Sequence, residues 1–267
     1  MNKNNLHKVF YKEYFSALDL NGGDDEQKIA EVNNKIFETH LTHIPFPNMD
    51  KQPVYLTVQY PGLITGIGIG HEVGVTGELK LGLHFDWTYG MPVIYGSSVK
   101  GVLRAWFMEF YTGDKDKIDL LMDIFSGVYD RDIEAEKVKY GDKWGDKVKV
   151  PQNRIYKCNK STYERDIFFD AVIFNKPENK PFLCTDAITP HGGKNLDNPL
   201  LNPTPISFLK IAPGCKIEFR FKLVDSKDSE GNVIYTINDK KELFKKILTT
   251  VGIGAKTNVG YGQLVEN

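Results

Sequence analysis

The chain has 267 residues, enough for one large domain or two small ones. Hydrophobic residues make up 41% and aromatics 12%, which is ample for a packed core and argues against a disordered chain. A net charge of −1 excludes a protein that coats nucleic acid over its whole surface, so any such site has to be local.

The polar opening Met1-Asn2-Lys3-Asn4-Asn5 leads into an amphipathic stretch with acidic residues, which is not the order of a secretory signal. Apolar runs stay well short of the ~18 residues a membrane span requires. The cysteines, Cys158, Cys184 and Cys215, are odd in number and far apart. They read as thiols with packing roles in a reducing cytoplasm. Residues 4–43 have helical periodicity. Val9, Phe10, Tyr14, Phe15 and Leu18 form one stripe, Asn21-Gly22-Gly23-Asp24 breaks it, and Ile29, Val32, Ile36 and Phe37 begin another. Pro45, Pro47 and Pro53 close this N-terminal helical extension, residues 1–50. Val54–Val58 is β-branched and aromatic and predicts a strand, and Leu79, Leu81 and Leu83 predict a second extended segment.

Ser98–Tyr111 predicts a helix with an apolar stripe of Val99, Val102, Leu103, Trp106, Phe107 and Phe110, and with Ser97 or Ser98 as its N-cap. Residues 113–166 read as an insertion, with a short helix at Ile118–Phe125 and a loop near 130–150. Ile167–Phe174 and Lys216–Val224 predict strands, separated by a Pro-rich, irregular excursion at 175–213. Asp239–Val251 predicts a helix opened by an Asp239/Glu242 capping box and closed by Gly252, and Tyr261–Val265 a last short strand. Strands punctuated by two amphipathic helices indicate a single α+β domain with helices on one face of a sheet.

The stretch Gly252-Ile253-Gly254-Ala255-Lys256-Thr257-Asn258-Val259-Gly260-Tyr261-Gly262 carries most of the chemistry. Its glycines allow close backbone approach to a ligand, and successive amides with Lys256, Thr257 and Asn258 suit phosphate oxygens. A dinucleotide fingerprint requires strand, glycines, helix; here the order is helix, glycines, strand. No acidic residue lies between Glu242 and Glu266, which predicts a locally positive field. The same glycines also suit a turn needed only for packing. A second cluster, Gly96-Ser97-Ser98-Val99-Lys100-Gly101-Val102-Leu103-Arg104, places Lys100 and Arg104 four apart beside a helix N-terminus. That is a phosphate ledge, or equally a well-capped core helix with two solvated cations. If both clusters act together, they have to fold side by side into one cradle.

The histidines assemble into no site. His40 and His43 lack matching ligands, while His71 with Glu72 and His84 with Asp86 are isolated pairs. His191, in Thr189-Pro190-His191-Gly192-Gly193, is available to stack on a base. Asp170 and Asp186 are candidate metal ligands that no spacing fixes at coordination distance.

In this order the motifs resemble the RAMP superfamily of CRISPR-associated proteins, and within it the family of sixth subunits of the type III-B (Cmr) effector complex. The resemblance is carried by Gly66–Gly70, by the run from Leu83-His84 through Gly90 to Arg104, by Phe168–Ala171, by Asp186 with Thr189–His191, by Pro203–Phe208 and by Gly252–Gly262. Tyr95 stands where relatives commonly have proline. The resemblance implies an RRM-like, ferredoxin-like core with a thumb-like insertion, for which 175–213 is the candidate. It implies no catalytic residue, no metal and no cofactor. It also implies contact with guide CRISPR RNA near its 3′ end, with target RNA, and with a repeated backbone subunit, a small helical subunit and a 3′-end subunit. The RNA-binding residues expected on this reading are Ser97, Ser98, Lys100, Arg104, His191, Gly254, Ala255, Lys256, Thr257, Asn258 and Tyr261. A RAMP endoribonuclease that cuts repeat RNA with His71 or His84 as general base is the alternative.

Overall fold

A computed structural model describes residues 5–16, 18–19, 25–46, 52–66, 74–80, 82–113, 117–127, 160–188, 205–228 and 230–266. Among these, strands β1 (Val54–Val58), β2 (His84–Phe85), β3 (Pro92–Ile94), β5 (Ala171–Asn175), β8 (Lys216–Phe219) and β12 (Leu264–Val265) form one sheet in the order β12-β1-β8-β5-β3-β2. All its pairings are antiparallel. Val54, Leu56 and Val58 are buried while Tyr55 faces out, the period-2 pattern that the β-branched sequence predicts. The four strands β12-β1-β8-β5 are joined by two helical crossovers, through α4 (Gly96–Phe110) and through α6 (Ile237–Val251). This is the β-α-β-β-α-β ferredoxin-like arrangement, and β2 and β3 extend it at one edge.

Helix α4 buries Val99, Leu103 and Phe107 at four-residue spacing. Phe107 meets Phe125 of α5 (Lys117–Ser126), and Phe125 in turn meets Phe244 of α6. The expected serine caps are not the caps. The helix starts at Gly96, Tyr95 occupies the cap position without a side-chain bond, and the Gly96 N–H donates to Asp170 Oδ1 at 2.7 Å. The acceptor arrives from the start of β5, 74 residues away, so local sequence could not reveal it. Helix α6 opens earlier than its periodicity suggests. Thr236 is the N-cap, and Asp239, the third residue of the helix, closes a capping box with it rather than opening one. Gly252, at φ 73°, closes the helix as expected, with its N–H on Leu248 O at 3.1 Å.

The N-terminal segment forms α1 (Leu6–Lys8), a π turn over Val9–Glu13 and α2 (Tyr14–Ser16), followed by α3 (Asp25–Phe37). Leu6, Val9, Phe10 and Tyr14 are buried. Phe10 packs 5.9 Å from Phe85 of β2, and the Tyr14 hydroxyl accepts the Leu79 N–H at 2.7 Å. The extension thereby packs its apolar side on β2 and the segment before it, while the His84 N–H of the edge strand is taken by Thr65 Oγ1.

The 175–213 excursion is more regular than its prolines suggest. Strands β6 (Leu183–Ile188) and β7 (Ile206–Ile211) pair over their full length, from Leu183↔Ile211 to Ile188↔Ile206. Prolines at 177, 181, 190, 199, 203, 205 and 213 flank these strands without entering them, so every ladder amide is available. Residues 189–204, His191 included, lie outside the described residues, as does the loop expected near 130–150. Short pairs β4 (Ile167–Phe168) with β9 (Phe221–Lys222), and β10 (Ser226–Lys227) with β11 (Val233–Tyr235), complete the fold.

Candidate functional site

The glycine loop is pinned backbone to backbone. Ile253 N–H donates to Gly262 O at 3.0 Å, Ala255 N–H to Ile64 O at 2.8 Å, and Gly262 N–H to Gly62 O at 2.8 Å. Gly254 and Gly262 have φ of +99° and +69°, and a Cβ at either would overlap a carbonyl oxygen, that of Ile64 or of Ile253. These glycines therefore serve packing whatever else they do. Between them, Lys256 adopts φ +59°, an uncommon conformation for a side chain-bearing residue, and opens a single 3₁₀ turn over Thr257–Val259. Gly254 and Asn258 are exposed, while Ala255, Lys256 and Thr257 are half-buried. A rigid rim of small residues with one lysine is thus presented at the surface.

The field at this loop is not simply positive, because tertiary contacts bring acids that the local sequence lacks. The Tyr261 hydroxyl donates to Asp186 Oδ2 at 2.8 Å, and the Lys210 ammonium pairs with the same oxygen. Burial acts to raise the Asp186 carboxyl, but Lys210, Tyr261 and the Ala187 amide outweigh it and hold it below the usual carboxylate range. Burial, reinforced by Asp186, pushes Tyr261 up to about 12. The Tyr261 ring lies edge-on to Phe208 at 6.0 Å. Asp186 thereby ties the β6–β7 hairpin to the loop, and Tyr261 is an anchor of that tie. Lys245 is paired with Glu242 at 2.7 Å and Glu266 at 3.4 Å.

At the start of α4, Ser97 and Ser98 are exposed, and the Ser98 and Val99 amides turn inward onto Tyr95 O at 2.8 and 3.0 Å. Lys100 Nζ lies 5.9 Å from the Phe168 ring centroid. Burial first, then the neighbouring Arg104 and Arg165, pulls the Lys100 ammonium below its ordinary value. Arg165 is a third cation that sequence reasoning missed; it reaches Lys100 only through the fold, from the segment before β4.

The two expected corners are not side by side. Ile94, at the end of β3, pairs with Ala171, on the level of Phe219 and Val54, whereas the glycine loop enters the sheet where Leu264 pairs with Val58. Helix α4 thus begins at the other end of the central strands from the loop. A run of contacts connects them. Beyond Ile64, Thr65 Oγ1 accepts the His84 N–H at 2.6 Å, and the His84 ring stacks on Tyr95 at 4.7 Å. Gly66 lies so close to that ring that a Cβ would overlap it. These contacts run through the buried Ile64 and Thr65, with Tyr95 leading directly into Gly96, so the two sites are linked through the interior and do not form one cradle. His84, a candidate base, is wedged between Gly66 and Tyr95, and burial lowers its pKa. Asp170, a candidate metal ligand, caps α4. Among the described residues no group of three or more His, Cys, Asp or Glu is arranged to hold a metal ion, and no helix is long and apolar enough to cross a membrane.

A family model described as the RAMP superfamily matches residues 55–265. The chain is 30% identical over 237 residues to the CRISPR system Cmr subunit Cmr6 of Pyrococcus furiosus, covering 75% of this chain and 64% of that protein. It is 26% identical over 180 residues to the CRISPR system CMR subunit Cmr6 of Saccharolobus solfataricus, covering 67% and 46%. The chain therefore spans less than two thirds of either relative's length. Among solved structures, it is similar to a chain of the type III-B Cmr-beta complex bound to cognate target RNA, with a TM-score of 0.49, 19% identity and coverage of 99% and 80%. It is also similar to the crystal structure of Cmr6 from Pyrococcus furiosus, with a TM-score of 0.37, 21% identity and coverage of 82% and 100%.

Proposed function

Because this chain belongs to the RAMP superfamily, we propose that it is a non-catalytic subunit that grips guide RNA near its 3′ end in a type III-B effector complex. The observation that carries this reading is the rim Gly254–Asn258. The Ala255 N–H bond to Ile64 O anchors it, and it presents Lys256 in a strained conformation. Strain of this kind persists where the surrounding structure enforces it, often at ligand clamps. Ser97, Ser98, Lys100 and Arg104 form the second site, and each contributes a few backbone contacts to a strand shared with other subunits. That sharing reconciles RNA binding with a near-neutral chain. The β6–β7 hairpin is the thumb-like insertion in this reading, and a cytoplasmic location follows from the same assignment.

The test is a fluorescence-anisotropy titration of single-stranded RNA over a range of salt. The protein alone binds weakly with steep salt dependence. Lys100→Ala with Lys256→Ala weakens binding and flattens the log–log salt slope by roughly 0.7 for each phosphate no longer neutralised. Tight binding that the double variant leaves intact would rule the assignment out. Incubation with repeat RNA addresses the endoribonuclease alternative, which requires a single clean cut that His84→Ala or His71→Ala abolishes; His71 lies outside the described residues.

A further inference from the structure

The N-terminal extension contributes something the RNA-binding motifs do not contain. In the turn between β2 and β3, Trp87 is 76% exposed, yet its backbone is tightly fixed. The Thr88 and Tyr89 amides donate to Asp86 Oδ1 at 2.9 and 2.6 Å, and the Asp86 and Gly90 amides close the hairpin on Met91 O and Asp86 O at 2.8 and 2.9 Å. Asn5 Nδ2 donates to the Trp87 and Thr88 carbonyls at 3.0 and 3.2 Å, and Leu6 N–H to Gly90 O at 3.1 Å. A rigid turn holding a large aromatic ring in water forgoes the stabilisation that burial of such a ring brings.

The ring does not stand alone. His7 lies 4.4 Å from Trp87 and 4.6 Å from Tyr11, which is 39% exposed. Tyr11 is close enough to Tyr95 for the two phenols to influence each other, although burial is the larger cause of its raised pKa. Tyr95 then leads into Gly96, Ser97 and Lys100. Burial holds the His7 imidazole below its ordinary value against the pull of Asp86. It is therefore neutral at pH 7.5 and adds ring surface rather than charge.

We infer that the file Trp87–His7–Tyr11 is a base-stacking platform for a single strand of RNA, whose phosphates lie along Ser97, Ser98 and Lys100. This rests on the RNA-binding reading and specifies what that reading leaves open, namely unpaired bases rather than a duplex. Stacking of bases on such rings is sequence-tolerant, and the file leads through Tyr95 to the exposed Ser97 and Ser98 at the start of the helix that carries Lys100, the pairing of features that single-strand sites use.

The experiment compares the full chain's affinity for a short oligouridine and for an abasic ribose–phosphate strand of equal length, across salt. Wild type should prefer oligouridine by about tenfold, a stacking contribution of ~1.4 kcal/mol. Trp87→Ala and Tyr11→Ala should each reduce that preference while leaving the salt slope unchanged, and Trp87→Phe should restore part of it. Equal affinity for both strands, with the salt slope intact, overturns the platform and leaves the RNA-binding reading standing. Failure to bind either strand overturns both. Retained oligouridine preference in Trp87→Ala, with loss of a partner subunit, overturns the platform in favour of protein docking.

Discussion

Lys240 is the most consequential charge in the core. Its side chain is fully buried on α6, with Nζ 2.6 Å from Asp166 Oδ2 and 2.6 Å from Val224 O, while Asp166 Oδ1 accepts the Val224 N–H at 2.9 Å. Lys240→Met keeps the apolar stem but strands a buried carboxylate and a carbonyl. Removing one partner of such a pair costs about 3–5 kcal/mol, against a total stability of roughly 5–15 kcal/mol for a domain. Replacing both partners, Asp166→Asn with Lys240→Met, should recover most of that stability, because no uncompensated charge remains. The pH dependence has a definite sign. Burial raises the Asp166 carboxyl above its ordinary value even though Lys240 pulls it down. A raised acid contributes stability below its unfolded pKa, and that contribution fades as pH rises through the folded value. Without Lys240 the shift grows, so the deficit of the single variant should be larger at pH 7.5 than at pH 5. Urea unfolding followed by circular dichroism measures both. A double variant no more stable than the single one, with a deficit equal at the two pH values, would refute the reasoning.

Gly254→Ala should lower stability by about 1–3 kcal/mol through the strained φ and the Ile64 carbonyl, seen as a lower melting temperature, and should weaken RNA binding with it. Tyr261→Phe should cost about 0.5–1.5 kcal/mol, the net worth of one hydrogen bond to a carboxylate that water still reaches, again read by thermal melting. Asp186 is held below the usual range, so its contribution is present above the ordinary carboxylate pKa and fades as pH falls through the depressed value. The wild type and Asp186→Asn should therefore converge in stability at strongly acidic pH. Cys215 is buried, and burial raises its thiol to about 12. In a Cys158→Ser background, a thiol reagent at pH 8 should leave Cys215 unmodified until denaturant is added, which mass spectrometry of the labelled peptides checks.

Local physics made much of this molecule legible in its sequence. The alternation in Val54–Val58, the four-residue stripe of Val99, Leu103 and Phe107, and the positive-φ glycine after α6 are each set by neighbours within a few residues. The glycine loop was legible as a close-approach turn for the same reason. What stayed hidden depended on partners far along the chain. Asp170 caps a helix 74 residues earlier, Asp186 meets Tyr261 across 75, and Asn5 secures Trp87 across 82. The hairpin within 175–213 was masked by prolines that flank its strands, since a count of prolines does not say which amides a ladder needs.

By itself, the sequence determined the two core helices, the first strand, the family and the residue types offered to phosphate, because periodicity and glycine conformations are short-range. Only the tertiary structure decided where those residues stand. Strand register, a long-range property, set the α4 ledge and the glycine loop at opposite ends of the sheet, and it brought Arg165 to Lys100, Asp186 to the loop, and His7 and Tyr11 beside the turn that carries Trp87.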